Sequence, residues 1–186
     1  MPAHFEPHQG GAAIALGELE IALLRSYAEQ LLDLLGTRDK PDTDDLLATA
    51  FHHGPSEPPQ DPVLARLFPN AYTDLAEASA EFRRFTENDL HTRKRSDAEA
   101  LINTLDKLDP PDHGRTTLHL TPEESRQWLG ALNDLRLAIA TRLDLVTEDD
   151  HEALLDLPET DPRTPVALTY TWLTYLQDTL VETLMP

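Results

Sequence analysis

No cysteine occurs in the 186 residues, so the sequence holds no disulfide, no thiolate zinc site and no cysteine nucleophile. That absence fits a cytoplasmic protein, which is the location expected here. Long apolar runs are also missing. No stretch approaches the roughly 20 apolar residues that span a bilayer, so no membrane partner is expected. The first residues carry no basic segment followed by an apolar core, and no secretory signal is expected.

Several catalytic signatures are absent. There is no Gly-Lys-Ser/Thr phosphate loop, no Gly-x-Gly-x-x-Gly turn, no Gly-x-Ser-x-Gly elbow and no His-Glu-x-x-His pair. The acidic run Glu148-Asp149-Asp150-His151-Glu152 has metal-capable side chains but lacks the glycine and spacing of a calcium loop. His4 and His8 lie four apart in a segment that reads as strand, where that spacing does not bring them together. No cofactor, no metal site and no enzymatic activity are expected.

Positive charge is scarce. Fifteen Lys and Arg stand against 34 Asp and Glu, a formal net charge of −19. Such a field keeps a protein soluble and repels nucleic acid and anionic membranes at long range, so direct DNA contact would depend on a local basic patch. One such concentration exists: Arg83, Arg84, Arg93, Lys94 and Arg95 are five of the fifteen cations, all in one segment. It is a candidate interaction patch for phosphate or for an acidic partner. The structural alternative is that it neutralises this chain's own acidic stretch, Asp144–Asp161. Few aromatics are interleaved, which argues against stacking on single strands.

What is present reads as a mainly helical domain spanning residues 1–186. Five to seven helices are expected in a bundle, with a small sheet of two or three strands formed by the N-terminal strands and residues 116–120. The clearest element runs from Trp128 to Leu143. Thr121-Pro122-Glu123-Glu124 opens it as a capping box with proline in the first turn. Trp128, Leu132, Leu135, Ile139 and Leu143 form one core stripe. Asn133, Asp134, Arg136 and Arg142 punctuate this helix as a candidate polar cluster. They would line a site if open to a cleft, or form a network between helices, for instance reaching Arg84 or Asp178.

Before that helix, His4–Leu16 reads as strand, Gly10-Gly11 turn and strand. A helix follows to about Leu35, ended by Gly36. Asp42–Phe51 suggests a short helix, His52–Pro62 a proline-rich loop, and Val63–Phe68 another short helix. Thr73–Leu108 is helical in character. Leu75, Ala78, Phe82 and Phe85 mark one apolar face, and Ala98, Leu101, Leu105 and Leu108 a second. The polar stretch Thr86–Ser96 between them implies a break at the Ser96-x-x-Glu99 capping pattern, or an exposed middle section of one long helix. Thr116–Leu120 alternates as a strand. Glu148–Leu157 suggests a short helix. Pro165–Leu184 carries a seam of Val166, Tyr170, Leu173, Leu176, Leu180 and Leu184, which would bury in the core or against a second copy, making a homodimer the favoured assembly.

Four stretches together carry a family resemblance: Asp61-Pro62-Val63-Leu64-Ala65-Arg66-Leu67-Phe68-Pro69-Asn70-Ala71-Tyr72; Glu81-Phe82-Arg83-Arg84-Phe85-Thr86-Glu87; Trp128 with Leu132–Leu137 and Thr141-Arg142-Leu143; and Trp172–Leu180. In combination they resemble the actinobacterial "twenty-seventeen" domain-of-unknown-function family over nearly the whole chain. The resemblance implies a gene commonly placed beside the ClpS protease adaptor. It also implies kinship with a branch, AosR, assigned as an oxidative-stress transcriptional regulator that senses oxidation through cysteines. With no cysteine here, thiol sensing does not carry over, and no catalytic residue comes with the family. The expected function is therefore a non-enzymatic regulatory or protein-interaction protein, a transcriptional regulator in one form. The alternative is a protein-binding factor linked to Clp-dependent proteolysis, and a small hydrolase or metal enzyme stands last.

Overall fold

A computed structural model describes residues 3–37, 54–109 and 114–185. The expected helix over Asp42–Phe51 lies outside these residues. The described chain forms six helices and a three-stranded antiparallel sheet in the order β1-β2-β3, as the periodicities predict.

Strands β1 (Phe5–His8) and β2 (Gly11–Gly17) form a hairpin in which His8 pairs with Gly11. The turn residues are Gln9 and Gly10, with φ of 49° and 81°, the left-handed pair that a two-residue hairpin requires. The turn thus sits one residue before the expected Gly10-Gly11. Gly11 is needed for another reason: a Cβ there would collide with the carbonyl oxygen of Leu120. Strand β3 (Arg115–Leu120) pairs with β2, setting Ile14 opposite Leu118. Phe5, Ala12, Ile14, Leu16, Leu118 and Leu120 alternate onto the buried face.

Helix α1 (Glu18–Leu35) begins where Glu20 accepts from the Gly17 backbone N–H at 2.8 Å, and ends at Gly36, whose φ is 64°. Short α2 (Pro62–Leu67) is capped by Asp61, whose Oδ1 accepts from the N–H groups of Val63 and Leu64 at 2.8 and 2.9 Å. Helix α3 (Ala76–Asp106) has 31 residues, a rod about 46 Å long at 1.5 Å per residue. The expected break is absent: Ser96 sits inside continuous helix and caps nothing.

Helix α4 (Pro122–Arg142) has the predicted capping box, with Thr121 and Glu124 bonded reciprocally. Trp128, Leu132, Leu135 and Ile139 are all buried, as their spacing foretold. Trp128 is the hub: Phe5 meets its indole edge-on at 5.9 Å, and its Nε1–H donates to Thr104 Oγ1 at 2.8 Å. Helix α5 (Glu148–Leu155) uses a second capping box, Thr147 with Asp150. Helix α6 (Thr164–Leu184) buries Tyr170, Leu173, Leu176 and Leu180 against α4 and β1. The seam that suggested a second copy is therefore consumed within this chain's own core.

The N-terminal half of α3 corrects the expected burial. Leu75, Phe82 and Phe85 were expected to face the core, but they are 60%, 49% and 60% exposed. The buried side is Ser79, Arg83, Glu87 and His91. The expected alternative, one long helix, is found, but its middle is exposed on one side only: Asp89, Leu90, Thr92, Arg93 and Ser96 face solvent, while Glu87 and His91 are buried and Lys94 and Arg95 half-buried. The physical reason is that this polar stripe meets helix ends. Helix C-termini leave backbone carbonyls without intrahelical partners. Arg95 donates to the carbonyls of Leu32 and Gly36, and the His91 ring lies 2.9 Å from the Leu35 carbonyl, so α3 holds the last turn of α1. Arg83 donates to the Phe68 carbonyl and to Asn70 Oδ1, holding the end of α2, and pairs with Glu87.

Candidate interaction face

The five clustered cations do not form one surface, because successive positions on a helix point about 100° apart. Arg83 is buried against Glu87. Lys94, half-buried, donates to Asp134 Oδ1 at 2.6 Å. Arg95 spends its guanidinium on α1 and on Glu99 at 3.0 Å. Arg84 and Arg93 reach solvent, and Arg93 lies 3.9 Å from Asp97. The acids met by Arg83, Arg93, Lys94 and Arg95 belong to α3 and α4, not to Asp144–Asp161.

The polar cluster on α4 divides in the same way. Asp134 is 2% exposed. Burial pushes its carboxyl above the usual range, against the opposing effects of Lys94 and a hydrogen bond from Asn133. Arg136 donates to Thr174 Oγ1 at 3.0 Å and to Gln177 Oε1 at 2.5 Å, with its guanidinium 5.8 Å from the Tyr170 ring centre. It thus ties α4 to α6, through Thr174 and Gln177 in place of the expected Asp178. Arg142 is exposed at the rim of a shallow groove beside Tyr27 and Gln30 of α1. Asp134 is sealed and Arg136 half-buried between helices, and the two do not converge on a common cleft.

Asp97 escaped the sequence reading. It is 8% exposed, and burial pushes its carboxyl up to about 6; Arg93 opposes the rise and Asp134 adds to it. Gly130 of α4 makes room for it, because a Cβ at 130 would collide with Asp97 Oδ2. Gly130, four residues before Asp134 in the middle of α4, was the available signal, since glycine inside a helix often marks close approach of a neighbour.

The outward side of α3 is apolar at its N-terminal end. Tyr72 and Phe82 meet edge-on at 6.3 Å and, with Leu75, Phe85 and Leu90, expose large apolar side chains. A hollow of about 210 Å³ opens among Pro69, Ala71, Phe82 and Leu90 with Arg83 at its side. Contiguous apolar surface of this kind characteristically marks a contact with another molecule. Elsewhere, the His8 and His119 rings meet at 4.3 Å, tilted by 39°, on the outer face of the sheet. Among the described residues no group of three or more His, Asp or Glu could hold a metal, and no helix is long and apolar enough to cross a membrane.

The described residues form a mainly helical fold with a three-stranded antiparallel sheet, and its long helix α3 carries a buried polar stripe and an outward apolar stripe. The chain belongs to the family described as a domain of unknown function, DUF2017, which matches residues 2–184. It is 35% identical over 181 residues to a putative oxidative stress regulator AosR of Mycobacterium leprae, covering 89% of this chain and 79% of the relative. It is 32% identical over 186 residues to the oxidative stress regulator AosR of Mycobacterium tuberculosis, covering 92% of this chain and 81% of the relative. The protein of that name from Mycobacterium bovis matches to the same extent. No solved structure matches the chain.

Proposed function

We propose that this chain is a non-enzymatic regulator that works in the cytoplasm by binding a protein partner along the outward side of α3. The observation that carries the reading is the inverted burial of that helix: Phe82 and Leu75 face out while Arg83 and Glu87 face in. The relatives' names, oxidative stress regulator, supply the process. In this reading the output is transcription, reached through a protein component of the transcription machinery and not through phosphate contacts. Three of the five clustered cations are already engaged inside the protein, and the net charge of −19 opposes approach to DNA. These 186 residues contain no thiol, so a thiol-based oxidation step would reside outside them.

The test is affinity capture from lysate with wild type and a Tyr72→Ser, Phe82→Ser variant. Both side chains are half-exposed, so the variant is expected to keep its melting temperature and lose its partners. Captured transcription proteins support the reading. Captured Clp chaperone or adaptor proteins replace it with a link to proteolysis. Capture unchanged by the variant removes α3 as the binding face.

A further inference from the structure

Asp97 and Asp134 are two buried carboxylates served by one half-buried ammonium, Lys94, which is bonded to Asp134. Asp97 keeps only a loose pairing, 3.9 Å from Arg93 Nε, on an arginine whose side chain is 77% exposed. Among the described residues no group donates a hydrogen bond to it. Gly130 closes it off on the α4 side, with no room for so much as a methyl group. The direction left open is a hollow of about 450 Å³ between α3 and the start of α4, rimmed by Asp89, Thr92, Glu123, Arg126 and Gln127. Arg126 is already paired with Glu123 at 2.6 Å, which leaves two carboxylates in the hollow short of a close cation, exposed Asp89 at the rim and buried Asp97 within.

We infer that this hollow seats a cationic side chain of the protein partner, an arginine guanidinium, which pairs with Asp97 in place of Arg93. The inference rests on the reading of α3 as the partner-binding face, and it names that partner's chemistry. Three observations favour an arginine. A buried carboxylate without a hydrogen-bond donor is costly, and a guanidinium presents a fork of donors that matches it. The chain's net charge of −19 steers basic partners toward it and repels acidic ones. The seat also continues the apolar stripe: Phe82, Asp89 and Arg93 follow one side of α3, and Asp97 lies 15 positions after Phe82, about 22 Å along the helix at 1.5 Å per residue. A partner segment with an apolar anchor at one end and an arginine some 20 Å away fits this face.

The groups around Asp97 are Arg93 and Lys94 on its own helix, with Asp89 at the rim, and Glu123, Arg126 and Asp134 on α4. Burial holds its carboxyl at about 6, so an arriving cation is expected to lower that midpoint. The experiment uses N-acetyl-arginine amide as the probe and tetramethylammonium chloride at equal ionic strength as the control. Nuclear magnetic resonance follows the Asp97 carboxyl and the Gly130 amide. The expected result is a saturable shift of both signals with the probe alone, a fall of the Asp97 midpoint, and loss of the Gly130 shift in Asp97→Asn. Arg93→Ala, which removes the competitor, is expected to tighten probe binding about two- to fivefold, the worth of one exposed ion pair. Equal shifts with tetramethylammonium, an unchanged response in Asp97→Asn, or no tightening in Arg93→Ala would each overturn the seat. Failure of the probe while the Phe82 variant still loses its partner overturns the seat and leaves the face standing. Probe binding at Asp97 with partner capture unaffected by the Phe82 variant overturns the face.

Discussion

Lys94 and Asp134 meet across the α3–α4 interface at 2.6 Å, with side chains 12% and 3% exposed. The pair ties α3 to α4 and brings one positive charge to a place that holds two acids. Removing one member of a buried pair leaves the other charge stranded. Lys94→Met is therefore expected to destabilise the protein by about 3–5 kcal/mol, and Lys94→Met with Asp134→Leu by much less. Urea unfolding of the two variants checks this; equal losses would mean that packing, and not the stranded carboxylate, sets the cost.

Asp97 gives a pH dependence of definite sign. Its carboxyl titrates at about 6 in the folded protein against 3.8 as the ordinary value, so the folded state binds the proton more tightly. Its contribution to stability is full below about 4 and is lost as pH rises through 6. Asp97→Asn is expected to be more stable than wild type at pH 8, by about 1–2 kcal/mol once solvent screening is allowed for. The difference should vanish on acidification to pH 4. Melting temperatures across that range measure it, and a variant less stable than wild type at pH 8 would contradict the assignment.

The indole of Trp128 has its hydrogen bond from Nε1 to Thr104 Oγ1 in a fully buried setting. Thr104→Val keeps the shape and removes the acceptor, and is expected to cost about 1–3 kcal/mol. Trp128→Phe with Thr104→Val, which removes donor and acceptor together, should recover part of that loss in a double-mutant cycle. Additive losses would show that the bond contributes nothing.

Direct DNA binding is tested with Arg84 and Arg93, the two cations of the cluster that reach solvent. Fluorescence anisotropy of labelled duplex is expected to show no binding near physiological salt. At low salt any binding is expected to be weak, with a slope against log salt that shallows by about 1 to 2 in Arg84→Ala, Arg93→Ala. Tight binding at physiological salt would restore a phosphate-contacting role.

The parts of the fold legible in the sequence were those fixed by neighbours in the chain. The stripe from Trp128 to Ile139 and the Thr121–Glu124 cap needed only helical spacing and local hydrogen bonding. The hairpin needed only alternation and a glycine. The burial of α3 was illegible because its reasons lie far away in sequence. Arg83 is inside because Phe68 and Asn70 stand 15 and 13 positions away, and Arg95 because Leu32 is 63 positions away. A rule that places Phe82 inside and Arg83 outside weighs side chains one by one, before partners can be counted. Asp97 was hidden for the same reason, its environment being made by Asp134 and Gly130 on another helix.

The grip of α3 on the final turn of α1 has a mechanical consequence. His91 and Arg95 hold α1 near the middle of a stiff rod, whereas Phe82 and Leu75 stand on the arm beyond that grip. Phe82 is nine positions from His91, an arm of about 13 Å at 1.5 Å per residue. A molecule that loads the tip exerts a torque at the grip. The bonds from Arg83 to Phe68 and Asn70 feel it first and the carbonyls of Leu32, Leu35 and Gly36 next, so events at the exposed tip are geared to the ends of two other helices.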